Sequence, residues 1–315
     1  MTLLYDVHTH VGLDQAFYLR GWWPYAATAQ DLLQHLDACG IARAVCFPMT
    51  MPSAFDPYAF IDRQEVELLP GRIPFDRENA LLVQELERVD TERRLLPFAM
   101  FDPSRLVTEQ LRNLEKLVGK IKGLKTQTTI IESPIRSLLD EGKELMAFAE
   151  QHELPVLLHA TVNPQAVCAQ ASDCLAVAEA FPGVRFCLAH SLGFHKQLLL
   201  TAAGMTNVWI DSASLLAHCQ LALGGSLIAT VPAQRVDADY RRPVQVMTAI
   251  YEMLDGCYLW GSDNPFMSWF DDELKIMYSY RQEAEILHAL PESVRKEMGS
   301  LAPRRWLYGE NAGEP

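Results

Sequence analysis

Short apolar segments alternate with longer helical segments along the whole chain, and this alternation constrains the fold more than any other feature. Eight segments are short, apolar and rich in β-branched and aromatic residues, as strands are: residues 3–10, 42–49, 95–102, 121–128, 155–161, 185–191, 207–213 and 257–263. Near-continuous apolar strands separated by helices are typical of a parallel sheet that helices cover. The sequence therefore predicts an α/β fold.

The segments between these strands have the periodicity of amphipathic helices, and Gly40 is placed to end the first of them. Helices are predicted at residues 28–40, 76–94, 107–120, 137–154, 173–183, 245–256, 271–290 and 291–310. Eight repeats in 315 residues predict a closed (β/α)₈ TIM barrel of eight parallel strands, with outer helices and a closing C-terminal helix. An open doubly wound sheet is the alternative, although no GxGxxG follows the first strand. With no linker or shift in composition, residues 1–315 are predicted to form a single domain.

Composition excludes several classes of function. The net charge of −13 argues against binding to nucleic acid or to an anionic membrane, which both need a basic surface. Neither a signal peptide nor a long apolar run is visible. The seven cysteines are odd in number and include no C-x-x-C, so we expect a reducing cytoplasm and no disulfide framework.

The first strand ends in DVHTH, residues 6–10, with two histidines separated by one residue. Alternate side chains of a strand point to the same face, so His8 and His10 are expected to converge, and Asp6 to share their face. Asp6 is then either a partner that orients one imidazole or a cap for a nearby backbone group. An isolated HxH is also compatible with two buried histidines that have no catalytic task.

Other predicted strands also end in an ionisable residue: His159 ends the fifth, His190 the sixth and Asp263 the eighth. Active sites of barrels lie at the C-terminal ends of the strands, and an unpaired buried imidazole or carboxylate costs several kcal/mol. A divalent metal removes that cost, because imidazole and carboxylate are its natural ligands. We therefore predict a metal site formed by His8, His10, His159 and Asp263. Asp263 could alternatively cap a helix, since Ser-Asp-Asn-Pro is a helix-start signal.

The sequence resembles the amidohydrolase superfamily over nearly its full length. The motifs that match, in order, are HTH at 8–10, His159, His190 and GSDNPF at 261–266. The sequence is most similar to the branch that holds the aminocarboxymuconate-semialdehyde decarboxylases and the pyrone-dicarboxylate lactonases, and LAPRRWLYG at 301–309 is an imperfect version of its tail. The resemblance implies a (β/α)₈ barrel in which Asp263 binds metal and acts as general base. It implies that His190 is a second catalytic group or a ligand of a second metal.

Lys125 lies on the fourth predicted strand, where superfamily members with two metals often carry a carboxylated lysine. Lys122 competes with it on the opposite face, and an ion-paired or substrate-binding lysine is an equal alternative. We expect one divalent ion, with zinc first, and leave a second ion open.

Three functions are compatible with this site. The first is metal-dependent hydrolysis of an amide, lactone or ester carbonyl of a small molecule, and the second is non-oxidative decarboxylation of a small carboxylic acid. The third is a metal-binding or ligand-binding barrel without turnover. The expected partner is a small-molecule substrate, either with or without a carboxylate; homo-oligomers are compatible with the sequence.

Two long connections, after the second and seventh strands, are expected to carry substrate-facing structure. Their arginines are candidates to clamp a substrate carboxylate, and aromatic residues after the first strand are candidates to wall the pocket. The candidates are Arg72, Arg235, Arg241, Arg242, Trp22, Trp23 and Tyr25. The remaining histidines are predicted to be surface or incidental: His35, His152, His195, His218 and His288.

Overall fold

The computed structural model describes residues 2–270 and 275–309, and its centre is one sheet of eight parallel strands in sequential order. The strands are β1 Tyr5–His10, β2 Arg43–Phe47, β3 Leu95–Met100, β4 Gly123–Thr126, β5 Val156–Leu158, β6 Phe186–Leu188, β7 Val208–Asp211 and β8 Tyr258–Leu259. Each lies within one of the eight predicted segments, so the predicted strand order is confirmed.

Backbone hydrogen bonds join the last strand segment to the first. The Val7 N–H donates to the Trp260 carbonyl oxygen at 3.2 Å, and the Asp263 N–H donates to that of His8 at 2.8 Å. A parallel bridge between Thr9 and Asn264 continues this pairing. The open-sheet alternative is therefore wrong, because the two edges that it requires are paired with each other.

One helix follows each strand on the outside of the barrel. These helices are α1 Ala29–Cys39, α2 Asp76–Val89, α3 Val107–Glu115, α4 Lys143–Gln151, α5 Ala171–Ala180, α6 Lys196–Ala203, α7 Pro243–Leu254 and α8 Tyr280–His288. Thr28 caps the start of α1 through its side chain, and Gly40 ends it with a φ of 66°. Helix α6 is not among the predicted helices. Of the described helices, none is long and apolar enough to cross a membrane.

Shorter elements lie in the connections and at the C-terminal end. Additional α-helices span Gln15–Arg20, Thr128–Ile131, Leu215–Leu223, Glu292–Lys296 and Ala302–Tyr308, and π-helical turns span Ala59–Arg63 and Glu297–Leu301. Short 3₁₀ segments span Ile135–Leu139, Val167–Ala169, His190–Phe194 and Pro232–Gln234. Two small antiparallel pairs join Gly12–Leu13 to Ala26–Ala27 and Trp269–Phe270 to Lys275–Ile276.

The helix predicted at residues 271–290 begins later than expected. Residues 271–274 lie outside the described part of the chain, Lys275–Ile276 is a strand, and the helix begins at Tyr280. Ser279 caps it with a reciprocal hydrogen bond to Gln282, which is a capping box. The predicted closing helix is present as the consecutive helical segments from Glu292 to Tyr308.

Side chains alternate between the barrel interior and the helix layer, as a period of two requires. On β2, for example, Val45 and Phe47 belong to the inner cluster, while Ala44 and Cys46 belong to the outer one. Trp306, fully buried, belongs to the inner cluster and packs 5.5 Å from the Phe98 ring centroid. The interior is therefore a packed core, and a binding site is expected at the ends of the strands.

Strand β1 contains an irregularity that aims the histidine pair. Asp6 pairs with Ala44 while Thr9 pairs with Cys46, so β1 has one extra residue between these two positions. Such a bulge reverses the alternation. Tyr5 and Val7 therefore point inward before it, His8 and His10 line the pocket after it, and Asp6 does not share their face.

Candidate active site

A pocket of about 180 Å³ lies at the C-terminal ends of the strands. All six residues predicted for the site border it: His8, His10, Lys125, His159, His190 and Asp263. Both long connections reach it too, through Thr50 after β2 and Ser214 after β7. Larger cavities of about 870 and 550 Å³ lie elsewhere, but neither borders any of these six residues.

Within the pocket, His8, His10 and Asp263 form the tightest group. One ligand atom from each lies within 4.8 Å of the others, and all three side chains are buried. Asp263 Oδ1 is 3.2 Å from His8 Nε2 and 3.7 Å from His10 Nε2. Asp263 does not begin a helix, because residues 264–270 form a turn and a strand.

Hydrogen bonds fix which nitrogen of each imidazole is free. His10 Nδ1 is 2.8 Å from the Pro48 carbonyl oxygen, and His8 Nδ1 is 2.8 Å from Asp211 Oδ2. A carbonyl and an ionised carboxylate only accept, so both Nδ1 atoms donate. In the neutral rings both Nε2 atoms then carry a lone pair directed at the Asp263 carboxylate, which is a donor set suited to a divalent cation.

The charges at this cluster are compatible with a bound cation. Burial opposes ionisation of Asp263, but His8, His190 and His10 together outweigh it, so the pKa of Asp263 is lowered and the carboxylate stays ionised. Burial also lowers the pKa of His8, and the carboxylates of Asp211 and Asp263 outweigh that effect, so its pKa is raised. Burial lowers the pKa of His10 to about 3, which keeps it neutral. The residues present therefore fit a metal ion, whose positive charge can replace the proton of His8.

His159 borders the same pocket but lies outside the group of three. Its Nδ1 is 3.1 Å from His190 Nε2, and His190 Nδ1 is 3.1 Å from the Ala213 carbonyl oxygen. Burial lowers the pKa of both rings. Because both rings are neutral and the Ala213 carbonyl can only accept, His190 Nδ1 donates to that carbonyl and His159 Nδ1 donates to His190 Nε2. His159 Nε2 therefore keeps a free lone pair.

The structure separates the two competing lysines. Lys125 is fully buried, and its Nζ lies 4.9 Å from the centroid of the Phe47 ring, without a hydrogen-bond partner in the described part of the chain. Burial lowers the pKa of Lys125 to about 8. Lys122 is exposed, and its Nζ lies 3.4 Å from the Gly119 carbonyl oxygen. Of the two, only Lys125 borders the pocket.

The backbone is strained where two of the site residues stand. Asp263 and His190 each adopt a φ of 62°, a region that residues with a Cβ rarely occupy. Next to His190, Ser191, Leu192 and Gly193 continue with φ of 49°, 46° and 58°, which makes a turn of left-handed helix. Strain of this kind persists where the surroundings hold it, and it concentrates at functional sites.

The sequence prediction missed Asp211 and His218. Asp211 is fully buried; its Oδ2 holds His8, and its Oδ1 accepts from the backbone N–H groups of His190 and Ala213 at 2.9 and 3.0 Å. It ends the seventh predicted strand, so the strand-end criterion applies to it as well. His218, predicted to be surface or incidental, is 8% exposed and borders the pocket 4.9 Å from His190 between ring centroids.

Asp6 is a backbone cap, which is the second of its two predicted roles. Its Oδ1 accepts from the N–H groups of His8 at 3.1 Å and Ser262 at 3.0 Å. Burial raises the pKa of Asp6 to about 6. The partner that orients an imidazole is Asp211 instead, because the bulge in β1 turns Asp6 away from the histidine pair.

None of the arginines or aromatic residues singled out in the sequence borders the pocket within the described ranges. Arg235 instead donates to the carbonyl oxygens of Ala222 and Thr230, and Arg72, Arg241 and Arg242 are exposed. Trp22 packs on Phe17, and Trp23 packs on Tyr25. The aromatic walls are Phe17, Phe266 and Trp269.

A family model described as amidohydrolase matches residues 5–309. A comparison with curated proteins by sequence found no match.

Three solved structures share the fold at low identity. A zinc-bound amidohydrolase from Burkholderia multivorans has a TM-score of 0.64 at 13% identity, covering 97% of this chain and 99% of its own. A protein described as a 2-pyrone-4,6-dicarboxylic acid hydrolase from Pseudomonas putida has a TM-score of 0.61 at 16% identity, with coverages of 99% and 100%. The 2,6-dihydroxybenzoate decarboxylase from Rhizobium has a TM-score of 0.63 at 14% identity, with coverages of 98% and 99%.

Proposed function

The chain belongs to the amidohydrolase family, and from this premise we propose that it is a metal-dependent hydrolase acting on an amide, lactone or ester carbonyl of a small molecule. The observation that carries the proposal is the group of His8, His10 and Asp263 at the mouth of the barrel. His159 is proposed as the fourth ligand because its Nε2 lone pair is free. We expect one divalent ion, zinc first, as in the zinc-bound structure from Burkholderia multivorans.

A divalent cation bound at this position supplies Lewis-acid polarisation of oxygen atoms. The chain's own residues supply the proton transfer. Asp263 is ionised and lies in the pocket, so it is proposed to accept the proton of the attacking water. His190 is proposed as the second proton-transfer group, because its neutral ring accepts at Nε2 and its Nδ1 is anchored on Ala213. Its alternative role is to ligate a second ion together with Lys125.

Decarboxylation is the second proposed function, and the similarity to the Rhizobium decarboxylase supports it at the level of the fold. Loss of CO₂ requires a proton donor for the carbon atom that is left behind, whereas hydrolysis requires a base. Asp263 is ionised, so it can accept a proton but has none to donate, and hydrolysis is therefore proposed first.

The test begins with metal analysis of the purified wild type, followed by turnover of a panel of lactones, esters, amides and small carboxylic acids. Proton release reports ester and lactone hydrolysis, free amine reports amide hydrolysis, and released CO₂ reports decarboxylation. We expect about one ion per chain, loss of activity with a chelator and recovery on adding the metal. His10→Asn should lose the ion, and Asp263→Asn should lose turnover.

Asp90→Asn is the matched control, because this buried aspartate caps the Leu95 N–H at the other end of the barrel. A wild type that binds metal but turns over no member of the panel would favour the third possibility, a binding barrel. Full turnover by Asp263→Asn would refute the assignment of the base.

A further inference from the structure

Lys125 is a buried cation that the proposed mechanism does not use. It stands on β4, fully buried, and its Nζ is without a hydrogen-bond partner in the described ranges. An ammonium group has three donors and no acceptor, and burying it without partners costs several kcal/mol. A hydrogen-bond acceptor on a ligand in the pocket would supply the partner that the described residues do not.

The neighbouring carboxylates do not satisfy this ammonium. Asp211 is hydrogen-bonded to His8 and to two backbone N–H groups, and Asp263 faces the histidine pair. Lys125 Nζ lies over the face of Phe47, 4.9 Å from the ring centroid. A ring face attracts a cation but accepts only weakly compared with a carboxylate oxygen.

We propose that Lys125 binds a carboxylate of the substrate and is not a ligand of a second metal. Among the described residues that line the pocket, Lys125 is the only lysine or arginine. The predicted arginine clamps lie elsewhere, so this ammonium is the fixed positive charge that an acidic substrate meets beside the proposed metal site. This inference rests on the proposed function and adds a substrate class to it.

The remaining walls define the rest of the ligand. Phe17, Ile130, Phe266 and Trp269 contribute apolar surface, and the cavity of about 180 Å³ is small. A small acid with a flat, apolar body fits these walls, with its carboxylate toward Lys125 and its reacting group toward Asp263.

Benzoate and its neutral analogue benzamide are suitable probes, measured by calorimetry on the metal-loaded protein and again on the metal-free protein. We expect the wild type to bind benzoate and to bind benzamide at least tenfold more weakly. Lys125→Met should lose benzoate affinity by about 10- to 100-fold, as for a hydrogen bond to a charged group. Its metal content should be unchanged. Lys122→Met, a change of the same kind at the exposed lysine, should match the wild type.

Equal benzoate binding by Lys125→Met would overturn the proposal. A second set of results would also overturn it: two metal ions per chain in the wild type, added mass on the intact protein from a carboxylated lysine, and only one metal ion in Lys125→Met. If Lys125→Met does not fold, the wild type still decides, because equal affinity for benzoate and benzamide refutes the inference. Absence of metal or of turnover refutes the proposed function and leaves the benzoate comparison readable in the metal-free protein.

Discussion

Asp211→Asn tests whether the protein tunes its metal site through the far nitrogen of His8. Asp211 Oδ2 accepts from His8 Nδ1 at 2.8 Å, while Oδ1 accepts from two backbone N–H groups. An asparagine keeps the Oδ1 interactions, but its amide nitrogen then faces Nδ1. His8 must give up its Nδ1 proton to accept from that nitrogen, and the neutral ring then carries its proton on Nε2, where a cation needs the lone pair.

The expected loss follows from this change of tautomer. Removing a partner that orients a metal-binding histidine typically weakens metal affinity by about 10- to 100-fold, or about 1.4–2.7 kcal/mol. We expect the upper end of this range, because the substitution removes an orienting bond and also moves the proton to the ligating nitrogen. Zinc affinity measured in competition with a chromophoric chelator gives the number directly.

Asp90→Asn serves again as the control, because it makes the same chemical change to a buried aspartate outside the pocket. Its zinc affinity should equal that of the wild type, whatever it loses in stability. If Asp211→Asn binds zinc within threefold of the wild type while remaining folded, the argument that Asp211 sets the tautomer of His8 is wrong.

Three further changes probe the barrel around the site. Gly261→Ala should lower the free energy of unfolding in urea by about 1–3 kcal/mol and weaken metal binding, because a Cβ there would lie 2.8 Å from the Cβ of His8. Gly204→Ala is the control and should leave stability unchanged, because its added Cβ would meet nothing closer than 3.5 Å. Equal losses in the two variants would contradict this prediction. Burial lowers the pKa of His218 to about 3, so the unfolded state binds more protons between pH 6.5 and 3 and acid destabilises the fold. His218→Gln should remove about 1.4 kcal/mol of that loss per pH unit below 6.5. If the urea midpoint falls as much between pH 6.5 and pH 4.5 in the variant as in the wild type, this reasoning is wrong. Trp306→Ala should cost about 3–5 kcal/mol in urea unfolding, because this fully buried side chain fills the barrel interior, and a loss below 1 kcal/mol would show that the core collapses around it.

The strands could be predicted because each is a local apolar run with a clear end. Closure could not be derived from periodicity, since it depends on hydrogen bonds between segments at opposite ends of the chain, such as those from Val7 to Trp260. The family resemblance supplied what the pattern lacked. The helix predicted at residues 271–290 starts late because a short strand, Lys275–Ile276, pairs with Trp269–Phe270 before it.

For the site, the strand-end criterion predicted which side chains share the pocket, but not how they pair. It did not predict that His159 contacts His190, or that Asp6 is excluded by a single inserted residue in β1. A shift of one residue reverses the facing of every later side chain, and composition gives no sign of it. His218 lies on the helix Leu215–Leu223, and its place beside His190 depends on how a long connection folds back.

The pairing of β1 with the segment after β8 has a consequence for assembly of the protein. His8 and His10 come from the start of the chain and Asp263 from near its end, so the cluster exists only once the two margins of the sheet have met. A ligand bound by all three side chains therefore stabilises the closed barrel relative to any form in which the first or the last strand is detached from the sheet.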